Sequence, residues 1–247
     1  MSTKYFLLTK DENTPVTENA KNQIVFLNND LTFILPEINL DYYYKFGLFE
    51  SGIMEWAKQL CSKTDVFLDI GAHTGTYSLA YSNYCCQVYA FEPQKMTFYA
   101  LCGSVALSNK RNISCLNIGL GSPEQVGKAT LKIRSLDGGG SSFCQIQGAN
   151  ILAEETAQIE TLDEFSLKNI PENQRIGLIK MDVEYNELNV LKGSISTIQK
   201  HRPKILFEAN PDGAMNSELF SFLEKSLKYR IISLTGTDNM FLAEYSQ

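Results

Sequence analysis

From residue 65 onward the chain alternates short apolar runs with amphipathic stretches. Residues 65–70 (DVFLDI), 87–91, 113–118, 176–182 (IGLIKMD) and 203–207 are apolar runs of strand length. Between them, residues 75–83 predict a short helix, and Phe98, Leu101, Cys102 and Val105 share one helical face. Leu188, Leu191, Ile195 and Ile198 form a second helical stripe, and Leu219, Phe220, Leu223 and Leu227 a third. Runs at 231–234 and 240–243 flank Thr235-Gly236-Thr237-Asp238 and predict a closing hairpin. Strands alternating with helices predict a largely parallel sheet covered on both faces. Ahead of this pattern, residues 24–35 predict two short strands around a turn at Asn28-Asn29-Asp30. Residues 49–61 place Phe49, Ile53, Trp56 and Leu60 near helical spacing. The expected division is therefore a hairpin-and-helix cap over 1–62 and an α/β domain over 63–247. Residues 119–160 interrupt the alternation and read as irregular, with Gly138-Gly139-Gly140-Ser141-Ser142 a candidate mobile loop.

Composition narrows the field. With 247 residues, 44% hydrophobic and 20% charged, the chain has the makeup of a folded domain, which excludes disorder. Its formal net charge of −6 argues against a nucleic-acid partner, because gripping a phosphate backbone calls for a Lys/Arg excess. The one basic cluster, Lys200 to Lys204, reads as a solvated loop between apolar segments. No apolar run reaches the roughly 18–20 residues a membrane span needs. The opening MSTKYFLLTKDENTP has an apolar patch, but Asp11 and Glu12 follow it where a signal peptide would carry small residues. Six cysteines without a CxxC pair predict reduced thiols and a cytoplasmic setting. Two histidines leave little material for a His-rich metal site or a Ser-His-Asp triad.

The chemistry is expected at the carboxyl ends of the strands, where doubly wound sheets bind ligands. The first strand ends in Asp69-Ile70-Gly71-Ala72-His73-Thr74-Gly75, whose glycines permit a tight turn and close backbone approach. A dinucleotide fingerprint would need glycine where His73 and Thr76 stand, and no Gly-Lys-Ser/Thr follows for a phosphate loop. Instead Asp69 precedes the turn, which suits a cationic or amine-bearing ligand. Glu92, about 20 positions on, ends the next strand where a carboxylate can accept from a ribose diol. An acidic loop with a ribose-binding carboxylate and no phosphate signature points to S-adenosylmethionine.

The sequence resembles the FkbM family of class I S-adenosylmethionine-dependent methyltransferases. The matching segments are the Asp69–Gly75 loop, Ala90-Phe91-Glu92-Pro93, Glu160-Thr161-Leu162-Asp163-Glu164-Phe165 and Ile179-Lys180-Met181-Asp182-Val183-Glu184. Glu187-Leu188-Asn189-Val190-Leu191-Lys192-Gly193 and Arg202-Pro203-Lys204-Ile205-Leu206-Phe207-Glu208 complete the set, over roughly residues 65–210. The resemblance implies a Rossmann-like, doubly wound seven-stranded mixed sheet with a reversed last strand. It also implies that Asp69, Gly71, Ala72, His73 and Gly75 line the methionine end of the cofactor, and that Glu92 holds the ribose. Asp182 is then nearest the reacting methyl group, and Lys180 orients it or holds the acceptor. Glu184 is a base candidate, while Glu187 reads as a helix cap. Lys180, Asp182 and Glu184 can share a face because side chains alternate along a strand; the functional reading stands ahead of a structural ion pair, which is the alternative. Asp182, Glu208 and Asn210 could supply oxygen ligands to Mg²⁺, but the resemblance is not to metal-dependent methyltransferases, and no metal ligand is expected.

The implied reaction is O-methylation of a hydroxyl on a sugar, a glycan or a small metabolite. Alternatives are a cofactor-binding module without catalysis and a nucleic-acid methyltransferase. Two positions depart from the family. His73 replaces Asn, and Tyr185 replaces Gly where a bulky ring could block the acceptor pocket. Tyr42-Tyr43-Tyr44 reads first as an aromatic cluster covering the sheet edge, and second as an acceptor-stacking surface.

Overall fold

The computed structural model describes residues 4–11, 30–145, 148, 150–209, 214–237 and 239–246. Strands β1 (Tyr5–Asp11) and β2 (Asp30–Pro36) pair antiparallel in register, Tyr5 opposite Pro36 and Asp11 opposite Asp30. Helices α1 (Leu40–Phe46) and α2 (Ser51–Ala57) follow. The main domain then runs β3 (Asp65–Ile70), α3 (Thr76–Tyr81), β4 (Gln87–Phe91), α4 (Lys95–Leu107) and β5 (Ile113–Leu116). Next come β6 (Gly119–Leu120), β7 (Gly127–Ile133), β8 (Ala153–Glu160) and α5 (Leu162–Asn169). The remainder is β9 (Arg175–Met181), α6 (Glu187–Lys192), α7 (Ile195–His201), β10 (Lys204–Glu208), α8 (Ala214–Ser221), β11 (Tyr229–Ser233) and β12 (Met240–Tyr245).

Among the described residues, seven strands make one sheet in the order β11-β12-β10-β9-β3-β4-β5. The run from β10 to β5 is parallel, and β12 is antiparallel to both of its neighbours. The reversed last strand is thus as expected. Strands β3 and β9 are buried almost throughout because both faces of the sheet are covered. Alternation along β3 sorts its side chains. Phe67 joins a core with the N-terminal strands, α2, α3 and α4, while Val66, Leu68 and Ile70 join the opposite core with α5 to α8.

Three features differ from the pattern-based expectation. Asp30 lies in a strand, not in a turn, and β2 pairs with residues 5–11, which by pattern alone are no more than an apolar patch. The predicted strand at 24–27 and its turn residues Asn28 and Asn29 lie outside the described residues, as does Asp238 in the closing hairpin. The segment read as irregular contains a three-stranded sheet ordered β6-β8-β7. Its strands bury few side chains (Leu120 on β6, Leu131 and Ile133 on β7, Ala157 and Ile159 on β8), so their alternation is drowned by exposed Lys, Glu and Gln. Among the described residues no helix is long and apolar enough to cross a membrane.

The N-terminal strands are fastened to α4 and its C-cap by polar contacts. Thr32 N donates to Ser108 Oγ at 2.8 Å and Ile34 N to Ser104 Oγ at 2.9 Å, so serines on the helix satisfy the open edge of β2. Gly103 brings the helix close, since a Cβ there would stand 2.4 Å from Ile34 Cδ1. Removing the acceptor in Ser104→Ala leaves the part-buried Ile34 N–H unpaired and should cost about 1 kcal/mol in urea unfolding. Leu167→Ala, at a side chain 87% exposed, should change stability by less than ~0.5 kcal/mol. Equal effects would show that the serine contact does not anchor the hairpin.

Candidate active site

The carboxyl ends of β3, β4, β9 and β10 open into a cleft of about 340 Å³. Its floor is the turn after β3. Gly71 N and Ala72 N both donate to Phe91 O, at 3.0 and 2.9 Å, and Asp182 N donates to Ile70 O at 3.0 Å. Gly71 has φ 79°, and a Cβ there would lie 1.8 Å from Asp182 O. The turn therefore requires glycine on two grounds, backbone conformation and contact with the end of β9. Gly75, with φ 91°, precedes α3; it does not line the cleft, and its bare Cα leaves room for Leu101. Asp69, Gly71, Ala72, His73, Glu92, Lys180, Asp182 and Glu184 all line the cleft.

Each charged group has a specific setting. Asp69 is buried; its Oδ2 accepts from Ser78 Oγ at 2.5 Å, and its Oδ1 has no partner among the described residues. Burial pushes its pKa up, against Lys180 and Ser78. Glu92 accepts from His73 N at 2.9 Å and Gln94 N at 2.8 Å, and burial still raises it to about 7. His73, at φ 52°, places Nε2 2.7 Å from Asp137 O. A carbonyl can only accept, so Nε2 carries the proton, and burial holds the ring neutral. Asn39 Nδ2 donates to Asp137 Oδ2 at 2.8 Å, so the N-terminal region, the insert and the glycine loop meet at one aspartate.

Lys180 is buried, with Nζ 2.8 Å from Asp182 Oδ2 and 5.0 Å from the Tyr77 ring centre. Burial alone would lower its pKa, but Asp182, Glu50 and Asp69 outweigh it and hold the ammonium charged. For Asp182 burial works upward, and Lys180 overcomes it to keep the carboxylate ionised. Glu184, at φ 52°, is turned toward Arg134 Nη2, 3.3 Å away, and burial lifts it to about 7. Glu187 takes the amides of Val183 and Tyr185, both at 3.3 Å, so it fastens the turn that precedes α6.

The glycine tract is a wall of this cleft. Ser141 Oγ donates to Gln94 Oε1 at 2.8 Å and Ser142 Oγ to Glu184 O at 2.5 Å, while Gly138 and Gly139 line the space. Tyr185 is not on the lining; its ring lies 6.0 Å from the Arg134 guanidinium. Its φ of 74° puts it in the left-handed region, where glycine is at ease and other residues are strained. Sequence reasoning missed Glu50, Tyr77, Asp137 and Phe143. Glu50 comes from the turn before α2, at φ 54°, and its Oε2 accepts the Tyr77 hydroxyl at 2.8 Å. Nothing local in sequence marks these positions. Asn210 lies outside the described residues.

Fold and cleft together define an α/β protein of the class I methyltransferase type. The methyltransferase FkbM domain matches residues 69–231, and the chain belongs to that family. Among solved structures, an FkbM methyltransferase from Methylobacillus flagellatus KT is 18% identical with a TM-score of 0.52, covering 74% of this chain. This chain spans 44% of that one. An rRNA methylase from Streptococcus thermophilus is 7% identical with a TM-score of 0.49, covering 80% of this chain and 96% of its own. A precorrin-6y C5,15-methyltransferase from Geobacter metallireducens GS-15 is 14% identical with a TM-score of 0.46, covering 80% and 90%. No curated protein matches in sequence.

Gly71→Ala should lower the melting temperature by at least ~5 °C, since left-handed strain and a backbone clash exceed ~2 kcal/mol together. Gly52→Ala, in α2 with open space around it, should leave it unchanged or raise it slightly. The carboxyls of Glu92, Glu184 and Glu187 at about 7 and of Glu208 at about 8 also set a pH dependence. Raised folded-state values mean that the native protein holds protons the unfolded chain has released. Their stabilising contribution is complete below the ordinary glutamate range and is lost as pH rises through 7 to 8. Calorimetric melting of the unliganded protein should therefore fall as pH rises from about 5 to 8 and level off above that; a flat or rising curve would count against these burials.

Proposed function

We propose that the protein transfers a methyl group from S-adenosylmethionine to a hydroxyl oxygen of a sugar, glycan or small metabolite. The observation that carries the reading is the buried, unpartnered Oδ1 of Asp69 at the cleft wall, beside a turn that requires Gly71. A buried carboxylate oxygen without a donor is costly and marks a place where a ligand's donor completes the site. An ammonium-bearing ligand fits there. Glu92 keeps lone pairs for a ribose diol. Pro93, Ile118, Gly119 and Phe143 form an apolar slot for a flat ring, where a Cβ on Gly119 would come within 2.5 Å of Phe143 Cε2.

When bound, the cofactor supplies a methyl group already activated on a sulfonium. The remaining work falls to the chain. Asp69, Gly71, Ala72 and His73 would hold the methionine end, Glu92 the ribose, and Asp182 the boundary with the acceptor. Lys180 positions Asp182 through their 2.8 Å pair, and Glu184 stands at the rim. We assign residues 1–62 the role of an acceptor-side cap, which the presence of Asn39, Tyr43, Phe49 and Glu50 on the lining supports. Carboxylates crowd the cleft, which speaks against a nucleic-acid acceptor. The reading carries a cytoplasmic setting with it, where thiols such as the six free cysteines stay reduced.

Calorimetric titration with S-adenosylhomocysteine is the test. One saturable site is expected, weakened at least tenfold in Asp69→Asn and in Glu92→Gln, since each loses a charged hydrogen-bond acceptor of about 1.5–3 kcal/mol. Folded wild-type protein without any binding would reject the reading.

A further inference from the structure

Exposed aromatic rings gather on one short stretch of the chain. Tyr42, Tyr44, Phe46, Phe49 and Trp56 are each more than a third exposed, on or between α1 and α2. A cluster of large apolar side chains left in water marks a surface that binds something. Of the five, Phe49 is also on the lining of the cleft. Tyr42 stacks on it with ring centres 4.0 Å apart and 19° between the planes, and Tyr43 meets it edge-on at 5.1 Å. Phe46 lies against Tyr42, also at 5.1 Å. Neighbouring rings thus hold Phe49 in place while it stays 41% exposed. Together they form a shelf that runs from the protein surface into the cleft.

Next to Phe49, Glu50 holds a left-handed backbone at φ 54° and ψ 23° and lines the same cleft. Such a conformation persists where surrounding contacts fix it. Here the Tyr77 hydroxyl donates to Glu50 Oε2 at 2.8 Å. A carboxylate has about four acceptor positions, so Glu50 can accept from further hydroxyls. Contacts also place it relative to the chemistry. Lys180 Nζ lies 5.0 Å from the Tyr77 ring centre and 2.8 Å from Asp182 Oδ2, on the residue read as nearest the methyl group. Glu50 therefore stands on the acceptor side, away from the nucleoside places given to Glu92, Pro93 and Phe143.

Size and charge narrow what can rest there. The cleft holds about 340 Å³, near the lower limit for one drug-sized ligand. With the cofactor inside, an acceptor has to lie at the mouth, against the shelf. Lys180 is the one lysine or arginine among the described lining residues and is taken by Asp182, while Glu50, Asp137, Glu184 and Glu208 share the lining. A phosphate or carboxylate on the acceptor would meet these acidic side chains with no free cation to receive it. An uncharged sugar ring suits both surfaces. Its C–H face packs on a flat aromatic ring, and the hydroxyls around its rim donate to a carboxylate.

We propose that Phe49, backed by Tyr42, and Glu50 form the acceptor subsite and restrict it to uncharged sugar rings. The subsite deepens the methyl-transfer reading above and rests on it. The sugar lies on Phe49, Glu50 accepts one of its hydroxyls, and a neighbouring hydroxyl is presented to Asp182 and the methyl group. Tyr77 keeps Glu50 in position. Phe49 and Glu50 are thus specificity-determining residues, and neither holds the cofactor.

Saturation-transfer NMR on the full chain, with S-adenosylhomocysteine present, reads acceptor binding without turnover. The probes are a set of neutral methyl pyranosides, glucose 1-phosphate and 4-methylphenol. Ring C–H signals of at least one pyranoside should respond, and glucose 1-phosphate should not. Phe49→Ala should weaken pyranoside binding at least about fivefold and Glu50→Gln about tenfold. Phe49→Tyr keeps the flat face and should retain binding, as should Tyr99→Ala, at an exposed ring on α4. Calorimetric affinity for S-adenosylhomocysteine should stay within about threefold in all four variants. With radiolabelled S-adenosylmethionine and the responding pyranoside, Phe49→Ala should raise KM at least about fivefold and change kcat less than about threefold. Undiminished pyranoside binding in Phe49→Ala or Glu50→Gln, equal loss in Tyr99→Ala, or a response from the phosphate or the phenol alone overturns the proposal. So does wild-type protein that binds S-adenosylhomocysteine and no probe. Absence of S-adenosylhomocysteine binding rejects the underlying methyl-transfer reading instead.

Discussion

A lysine ammonium held out of water beneath the cleft is the interaction on which the rest depends. Lys180 reaches from the buried strand β9 to Asp182, and its charge makes the close company of Asp69, Asp182, Glu50 and Glu208 tolerable. Without it, these carboxylates would face one another with no buried cation among them, at a cost in electrostatic repulsion. Removing one partner of such a pair typically costs about 3–5 kcal/mol, because the other charge is left buried and unpaired. The pair is best understood as a device that fixes protonation states.

Around this charge the protein assembles a cleft from three distant segments. The glycine turn after β3 supplies backbone and is clamped between β4 and β9. The N-terminal region supplies Asn39, Tyr43, Phe49 and Glu50, and the β6-β8-β7 insert supplies Leu131, Asp137 and Phe143. Asp137 links all three, accepting from Asn39 and offering its carbonyl to His73. His73 therefore ties the turn to the insert, its ring spanning to the Asp137 carbonyl.

Tyr185 shows how a departure from family pattern is resolved by conformation. As a bulky residue in place of glycine it suggests a filled acceptor pocket. The ring instead lies beside Arg134, away from the lining, and the glycine preference is explained by a left-handed backbone. Tyr185 therefore does not fill the cleft.

Periodicity alone defined the alternating strands and helices, because burial on both faces leaves uninterrupted apolar runs and single-face burial leaves helical stripes. The Asp69–Gly75 loop and Glu92 were legible as well, since a strand end, a glycine turn and a spaced carboxylate are local signals. The N-terminal partner strand was hidden because pairing of residues 5–11 with 30–36 is a long-range choice, while the nearer Asn28-Asn29-Asp30 offered a local turn. The insert sheet was hidden because each of its strands buries few side chains. Tertiary structure alone decided that Glu50 and Tyr77 join the site, that Glu184 turns to Arg134, and that Glu208 lines the cleft. Those outcomes depend on register between strands and on side-chain direction, neither of which spacing along one chain specifies.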